Sequence, residues 1–207
     1  MLAKMIDKIV ALKQTQIFDI VCKLIRTERE KIGATIIVQV SSYKRVDVMT
    51  TYLPDLSRNA LYSAVADAPG IRTGWRSQEE ALIELRSLFV PNAGTEYLLD
   101  LLSHMSENST VTSKDNGVTQ QVEARQGVDL KAMVAVKPRV KLIPFRTFLE
   151  VPQPESEFLL RVDKDKGVGF FEADGGIWKL EAKSNIAKYF EEHLKDLVDA
   201  GNVVVMQ

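Results

Sequence analysis

Hydrophobic periodicity changes partway along this chain, and that change limits the fold more than any other feature. In the first half, apolar residues recur mainly at helical spacing. Leu2, Met5, Ile6, Ile9 and Leu12 share one face, and Ile17, Ile20, Val21, Leu24 and Ile25 continue it. One long helix or two abutting ones are predicted, ending near Gly33. Thr35–Val40 is dense in β-branched residues and reads as a buried strand, and Arg45–Tyr52 alternates as a second strand. Ser57 is expected to cap a helix running through Ala68, stopped by Pro69-Gly70. Ser77-Gln78-Glu79-Glu80 is a capping box opening the next helix, and Tyr97 to about Met105 reads as another.

The second half alternates with a period of two. Thr110–Lys114 and Val118–Ala124 flank Asp115-Asn116-Gly117, a hairpin signal because Asn-Gly tolerates positive φ. Met133–Ile143 and Phe158–Val162 read as strands. Val168–Glu172 and Ile177–Ala182 are expected to form a hairpin around Asp174-Gly175-Gly176. Ser184 is expected to cap a last helix that Gly201 ends, before a short strand at Val203–Met206. The predicted class is therefore α+β. A helical N-terminal half surrounds a short strand pair, and a β-rich C-terminal half has antiparallel hairpins closed by one helix. The boundary falls near Glu107–Ser109, giving two docked subdomains, 1–107 and 108–207.

Charge excludes some functions. The chain of 207 residues carries 27 basic and 28 acidic side chains, a formal net charge of −1. Displacing counterions from duplex DNA takes a basic surplus, so non-specific duplex binding is not expected. The single cysteine, Cys22, sits in an apolar run and reads as a small buried hydrophobe. No apolar run approaches the ~18 residues of a membrane span. Lys4, Asp7 and Lys8 interrupt the N-terminal apolar residues, so a secretory signal is not expected and the cytoplasm is the expected location.

Three constellations stand out. Lys137, Arg139 and Lys141 fall at i, i+2 and i+4, which puts them on one face of a strand with Val136, Val140 and Leu142 on the other. Such a ladder binds phosphate or an acidic partner, or pairs with neighbouring glutamates, or faces water. The run from Pro144 to Phe158 holds Pro152-Gln153-Pro154, a stiff extended corner. Around it, Arg146, Gln153, Glu155 and Ser156 offer polar groups, and Phe145 and Phe148 offer aromatic surface; the alternative is a plain corner with its rings in the core. Arg146 there needs a carboxylate (Glu150, Glu155 or Glu172) or a ligand. Finally, Phe170–Leu180 contains Asp174 before two glycines, where aspartate serves the turn, and then Lys179 and Trp178, whose ring either packs in the core or stacks on a base. No zinc motif, phosphate-binding glycine loop or histidine-centred catalytic set occurs, so no catalytic residue, metal site or cofactor is predicted.

Pro144-Phe145-Arg146-Thr147-Phe148, Gln153-Pro154-Glu155-Ser156, Phe171-Glu172-Ala173-Asp174-Gly175-Gly176 and Trp178-Lys179-Leu180-Glu181-Ala182 resemble a family of phage and prophage early-region proteins of unknown function, the YfdQ-like group. The resemblance implies an accessory protein made early in infection and no activity by itself. Two non-enzymatic functions are expected from it. One is a counter-defence protein that sequesters a small nucleotide-type signal, as a homo-oligomer. Phosphates would meet Lys137, Arg139, Lys141 and Arg146, a base would stack on Phe148 or Trp178, and Gln153, Glu155, Ser156 and Lys179 would complete the site. The other is an accessory protein of phage DNA replication or recombination, acting through protein partners.

Overall fold

The computed structural model describes residues 17–105, 111–113, 120–126 and 130–207, with side chains described for all but 111–113, 123–126 and 130–133. The predicted helix over Met1–Gln16, the Glu107–Ser109 boundary and the Asp115-Asn116-Gly117 turn lie outside the described residues. The class is mixed α+β. The described residues form two compact units, each assembled from separate stretches: the chain up to Ala68 with Arg146–Gln153 and Lys179–Gln207, and Pro69–Phe145 with Pro154–Trp178. This division cuts across the expected 1–107 and 108–207 halves, because strands from both halves pair within each unit.

In the first unit, helix α1 (Ile17–Arg29) buries Phe18, Val21, Cys22 and Ile25 on one face. Strands β1 (Ile36–Ser42), β2 (Arg45–Thr50) and β3 (Ala60–Val65) form an antiparallel run. Strand β1 stands where β-branched density placed it, and β2 where alternation did. Strand β3 replaces the helix expected after Ser57. The Ser57 hydroxyl donates to Asp55 at 2.6 Å instead of capping, and the backbone of 60–65 takes its hydrogen bonds from β2. Sheet pairing thus overrides a weak local helix signal.

The same unit ends with helices α4 (Trp178–His193) and α5 (Lys195–Asp199) and strand β12 (Val203–Met206), which pairs in parallel with β1. The sheet order is β12-β1-β2-β3. Helix α4 corrects two expectations: Ile177–Ala182 is not a strand, and Ser184 lies inside the helix rather than at its cap. Trp178, Ala182, Ile186, Phe190 and Leu194, all buried, recur every four residues, so the helical period runs upstream of Ser184. Gly175 and Gly176, both with positive φ, make the turn before it. The core of this unit gathers Phe18, Ile25, Val38, Val48, Phe148, Ile186 and Phe190.

In the second unit, β4 (Gly74–Arg76), β5 (Phe89–Val90), β9 (Arg139–Pro144), β10 (Ser156–Asp163) and β11 (Gly167–Glu172) make a five-stranded sheet ordered β4-β11-β10-β9-β5. Strands β6 (Val111–Ser113), β7 (Gln120–Gln126) and β8 (Leu130–Val136) form a separate antiparallel sheet of three. Helix α2 (Gln78–Ser87) opens on the predicted capping box: the Ser77 hydroxyl accepts from the Glu80 N–H at 3.1 Å, and the Glu80 carboxylate accepts from the Ser77 N–H at 2.8 Å. Helix α3 (Ala93–His104) opens on an analogous box between Asn92 and Thr95. Leu85, Leu98 and Leu102 pack beside Val140, Leu142, Phe158 and Phe170 of the five-stranded sheet. The single strand predicted over Met133–Ile143 is two, in different sheets. Pro138 lacks an N–H and restricts Lys137 before it, so the ladder breaks there.

Candidate functional site

The break at Pro138 dissolves the three-cation ladder. Lys137 precedes β9; its N–H donates to the Tyr97 hydroxyl at 2.9 Å, and its ammonium lies 4.5 Å from that ring's centroid. Arg139 and Lys141 do project from the exposed face of β9, while Val140 and Leu142 are buried as predicted. Both cations have carboxylates: Arg139 meets Glu157 at 2.7 Å and Lys141 meets Glu155 at 2.9 Å. The first pair is diagonal across the strands, since the register sets Glu157 opposite Lys141 and Leu159 opposite Arg139. Among the expected arrangements of this face, glutamate pairing is the one seen, with Glu155 as the partner of Lys141.

The corner at Arg146–Gln153 is built around Gln153. Its Oε1 accepts from the N–H groups of Arg146 at 3.0 Å and Thr147 at 3.2 Å, and its Nε2 donates to the carbonyls of Phe148 at 2.8 Å and Val151 at 3.2 Å. Every strong hydrogen-bonding position of the amide is spent inside the corner. Arg146, Thr147, Phe148 and Val151 are all buried. Phe148 sits 4.4 Å, centroid to centroid, from Phe18 in the core, so it offers no surface to a base. Trp178 is also buried, at 5% exposure. Ser156 donates to Asp174 at 2.7 Å, and the other Asp174 oxygen accepts from the Gly176 N–H at 3.0 Å, the turn role expected of this aspartate. The Lys179 ammonium lies 5.8 Å from the Tyr43 ring centroid. Arg146, Phe148, Gln153 and Lys179 belong to the first unit, and Lys137, Arg139, Lys141, Glu155, Ser156 and Trp178 to the second.

An open feature lies elsewhere. Among the described residues, strand β12 is an edge of its sheet, and beside it runs a groove of about 540 Å³. One wall is Glu191 and Glu192 of α4 with Lys195, Val198 and Asp199 of α5; the other is Val203–Val205 of β12. Val204 and Met206 are 43% and 49% exposed. Sequence reading found this strand but not its openness, which depends on which partner strand is absent. The Val-Val-Val-Met run after Gly201 was the available signal.

Among the described residues, no group of three or more His, Cys, Asp or Glu is placed to hold a metal ion. No helix among them is long and apolar enough to cross a membrane. The chain matches no protein family, no curated protein and no solved structure.

Proposed function

We propose that this chain is a non-enzymatic binding protein of the phage early-region kind, acting in the bacterial cytoplasm through contact with a protein partner in phage DNA replication or recombination. The observation that carries the reading is the open edge of β12 beside its groove, since an unpaired strand edge is a template for another chain. The near-neutral net charge of −1 is compatible with a protein partner. Affinity capture from infected cells tests it. A single-strand-binding or annealing protein retained by the wild-type chain supports the reading, and retention of no protein in several independent captures refutes it.

Sequestration of a nucleotide-type signal by a homo-oligomer is a second reading, and a separate observation favours it. On the outer face of the five-stranded sheet, Trp75 stands edge-on to Phe171 with centroids 5.7 Å apart, and the Lys166 ammonium lies 5.7 Å from the Trp75 ring. Strand register places Arg161 opposite Gly169, next to Trp75, and Arg139 in line with Phe171 across Leu159. An aromatic step flanked by cations suits a phosphorylated base. Calorimetry against cyclic nucleotides and ADP-ribose derivatives decides it: micromolar binding weakened by Trp75→Ala supports this reading, and no heat with any of them refutes it.

A further inference from the structure

We infer that the β12 edge is a strand-addition site for an extended, basic segment of a partner protein, with lysine or arginine alternating with apolar residues. The inference rests on the protein-contact reading above and deepens it.

Backbone geometry comes first. The Ile36 N–H donates to the Asn202 carbonyl at 3.0 Å, and β12 runs parallel to β1 with Ile36 beside Val203. Alternate residues of a strand turn their N–H and C=O groups to opposite edges. Asn202, Val204 and Met206 thus serve β1, while Val203 and Val205 turn theirs to the open edge. No strand pairs with that edge among the described residues. An incoming strand completes it with main-chain hydrogen bonds, which supply affinity without choosing a sequence.

Side chains choose the sequence. Val203 and Val205 point to the core face of the sheet, and Val204 and Met206 point to the opposite, exposed face. An added strand sends alternate side chains to the same two faces. On the core side they meet the helical wall of the groove, which carries three carboxylates, Glu191, Glu192 and Asp199, against one ammonium, Lys195. Lys195 is held by Asp199 at 2.9 Å and Lys188 stands 3.9 Å from Glu192, both as exposed pairs that water screens, so the wall keeps an acidic surplus centred on Glu191. That wall selects cationic side chains. On the other side the added residues lie beside Val204 and Met206, which select apolar ones. A second copy of this chain paired across a two-fold axis would bring two acidic walls together, so charge complementarity selects a different chain.

The experiment uses the full chain and a fluorescein-labelled octapeptide of alternating lysine and valine, followed by anisotropy at low and high salt. Binding is expected, weakened by salt, and absent for an octapeptide of alternating glutamate and valine. Two variants locate the site. Glu191→Lys with Glu192→Lys reverses two exposed charges on α4, and is expected to lower affinity for the lysine peptide by about tenfold or more. Val205→Pro removes an N–H that faces the open edge rather than β1, and is expected to lower affinity while far-UV circular dichroism stays unchanged. No binding of the lysine peptide overturns the inference. So does equal binding of the glutamate peptide, or binding that both variants leave intact. Self-association of the wild type that Val205→Pro abolishes also overturns it, since the occupant is then a second copy. In the capture experiment, a partner retained equally by wild type and both variants sinks the β12 site and leaves the protein-contact reading standing.

Discussion

Replacing Gln153 with alanine removes four hydrogen bonds from one corner. The N–H groups of Arg146 and Thr147 and the carbonyl of Val151 lose the glutamine together, and the Phe148 carbonyl keeps only the long bond from the Val151 N–H at 3.5 Å. These four residues are 0–4% exposed, so water reaches the orphaned groups only through the space that the glutamine vacates. A buried polar group left unsatisfied costs ~1–3 kcal/mol, and partial rehydration of the outer pair brings the expected total to about 3–5 kcal/mol. That is a large part of the ~5–15 kcal/mol that stabilises an ordinary domain. With each kcal/mol worth about 2–4 °C in a chain of this size, Tm is expected to fall by about 6–20 °C. Urea denaturation followed by far-UV circular dichroism measures the loss, and amide exchange at Arg146 and Thr147 reports the corner itself. Gln153→Glu keeps the acceptors but sets a carboxylate against two carbonyls, and is expected to do at least as much harm at neutral pH. A loss below about 1 kcal/mol with both amides still protected would refute the structural role and return Gln153 to ligand binding.

Four other outcomes are expected. Gly94, at the start of α3, lies so close to the Lys141 carbonyl that an added Cβ would overlap it; Gly94→Ala is expected to cost about 1–3 kcal/mol or more, read from thermal melts. The Arg76 guanidinium, fully buried, pairs with Glu84 over the Phe170 ring, so Glu84→Ala is expected to destabilise by roughly 3 kcal/mol, while Arg76→Met combined with Glu84→Leu recovers most of it. Partial burial pushes the Asp47 carboxyl up, but Arg45 and the Ser41 and Ser63 hydroxyls outweigh it and hold its pKa below the ordinary carboxylate value. A depressed folded-state pKa stabilises above the unfolded value of 3.8 and loses that contribution as pH falls through the folded one, so the stability gap between wild type and Asp47→Asn is expected to narrow in acid, checked by urea titrations at descending pH. Burial, aided by the Asp19 carboxylate against the opposing Arg26, pushes the Cys22 thiol up to about 12; it is expected to resist a disulfide reagent in the native protein at mildly alkaline pH and to react on unfolding.

How far the site could be read in advance varies with how local each signal is. The Asp174 turn and the buried face of β9 were legible because each depends on residues within a few positions. Gln153 was visible as a polar group in a stiff corner, but nothing local says that the chain folds back so that its amide meets four main-chain groups. Whether Phe148 offered a stacking surface or lay in the core was open for the same reason: its burial against Phe18 joins residues far apart in sequence. The Lys137 reading failed on a local signal that was present, since Pro138 sits inside the supposed ladder.

By itself the sequence determined the α+β class, strands β1, β2, β10, β11 and β12, the capping box at Ser77–Glu80 and the burial of Cys22. Periodicity, caps and turns act over a few residues, and there the amino acids alone select the backbone. Only the tertiary structure decided that 60–65 is a strand rather than a helix, that β12 lies parallel to β1, and that Arg139 and Lys141 are held by Glu157 and Glu155. Each of these depends on a partner strand whose identity no local pattern encodes. The same holds for the open edge at Val203–Met206: a strand becomes an edge by the absence of a neighbour, and that absence is settled only when the whole sheet has formed.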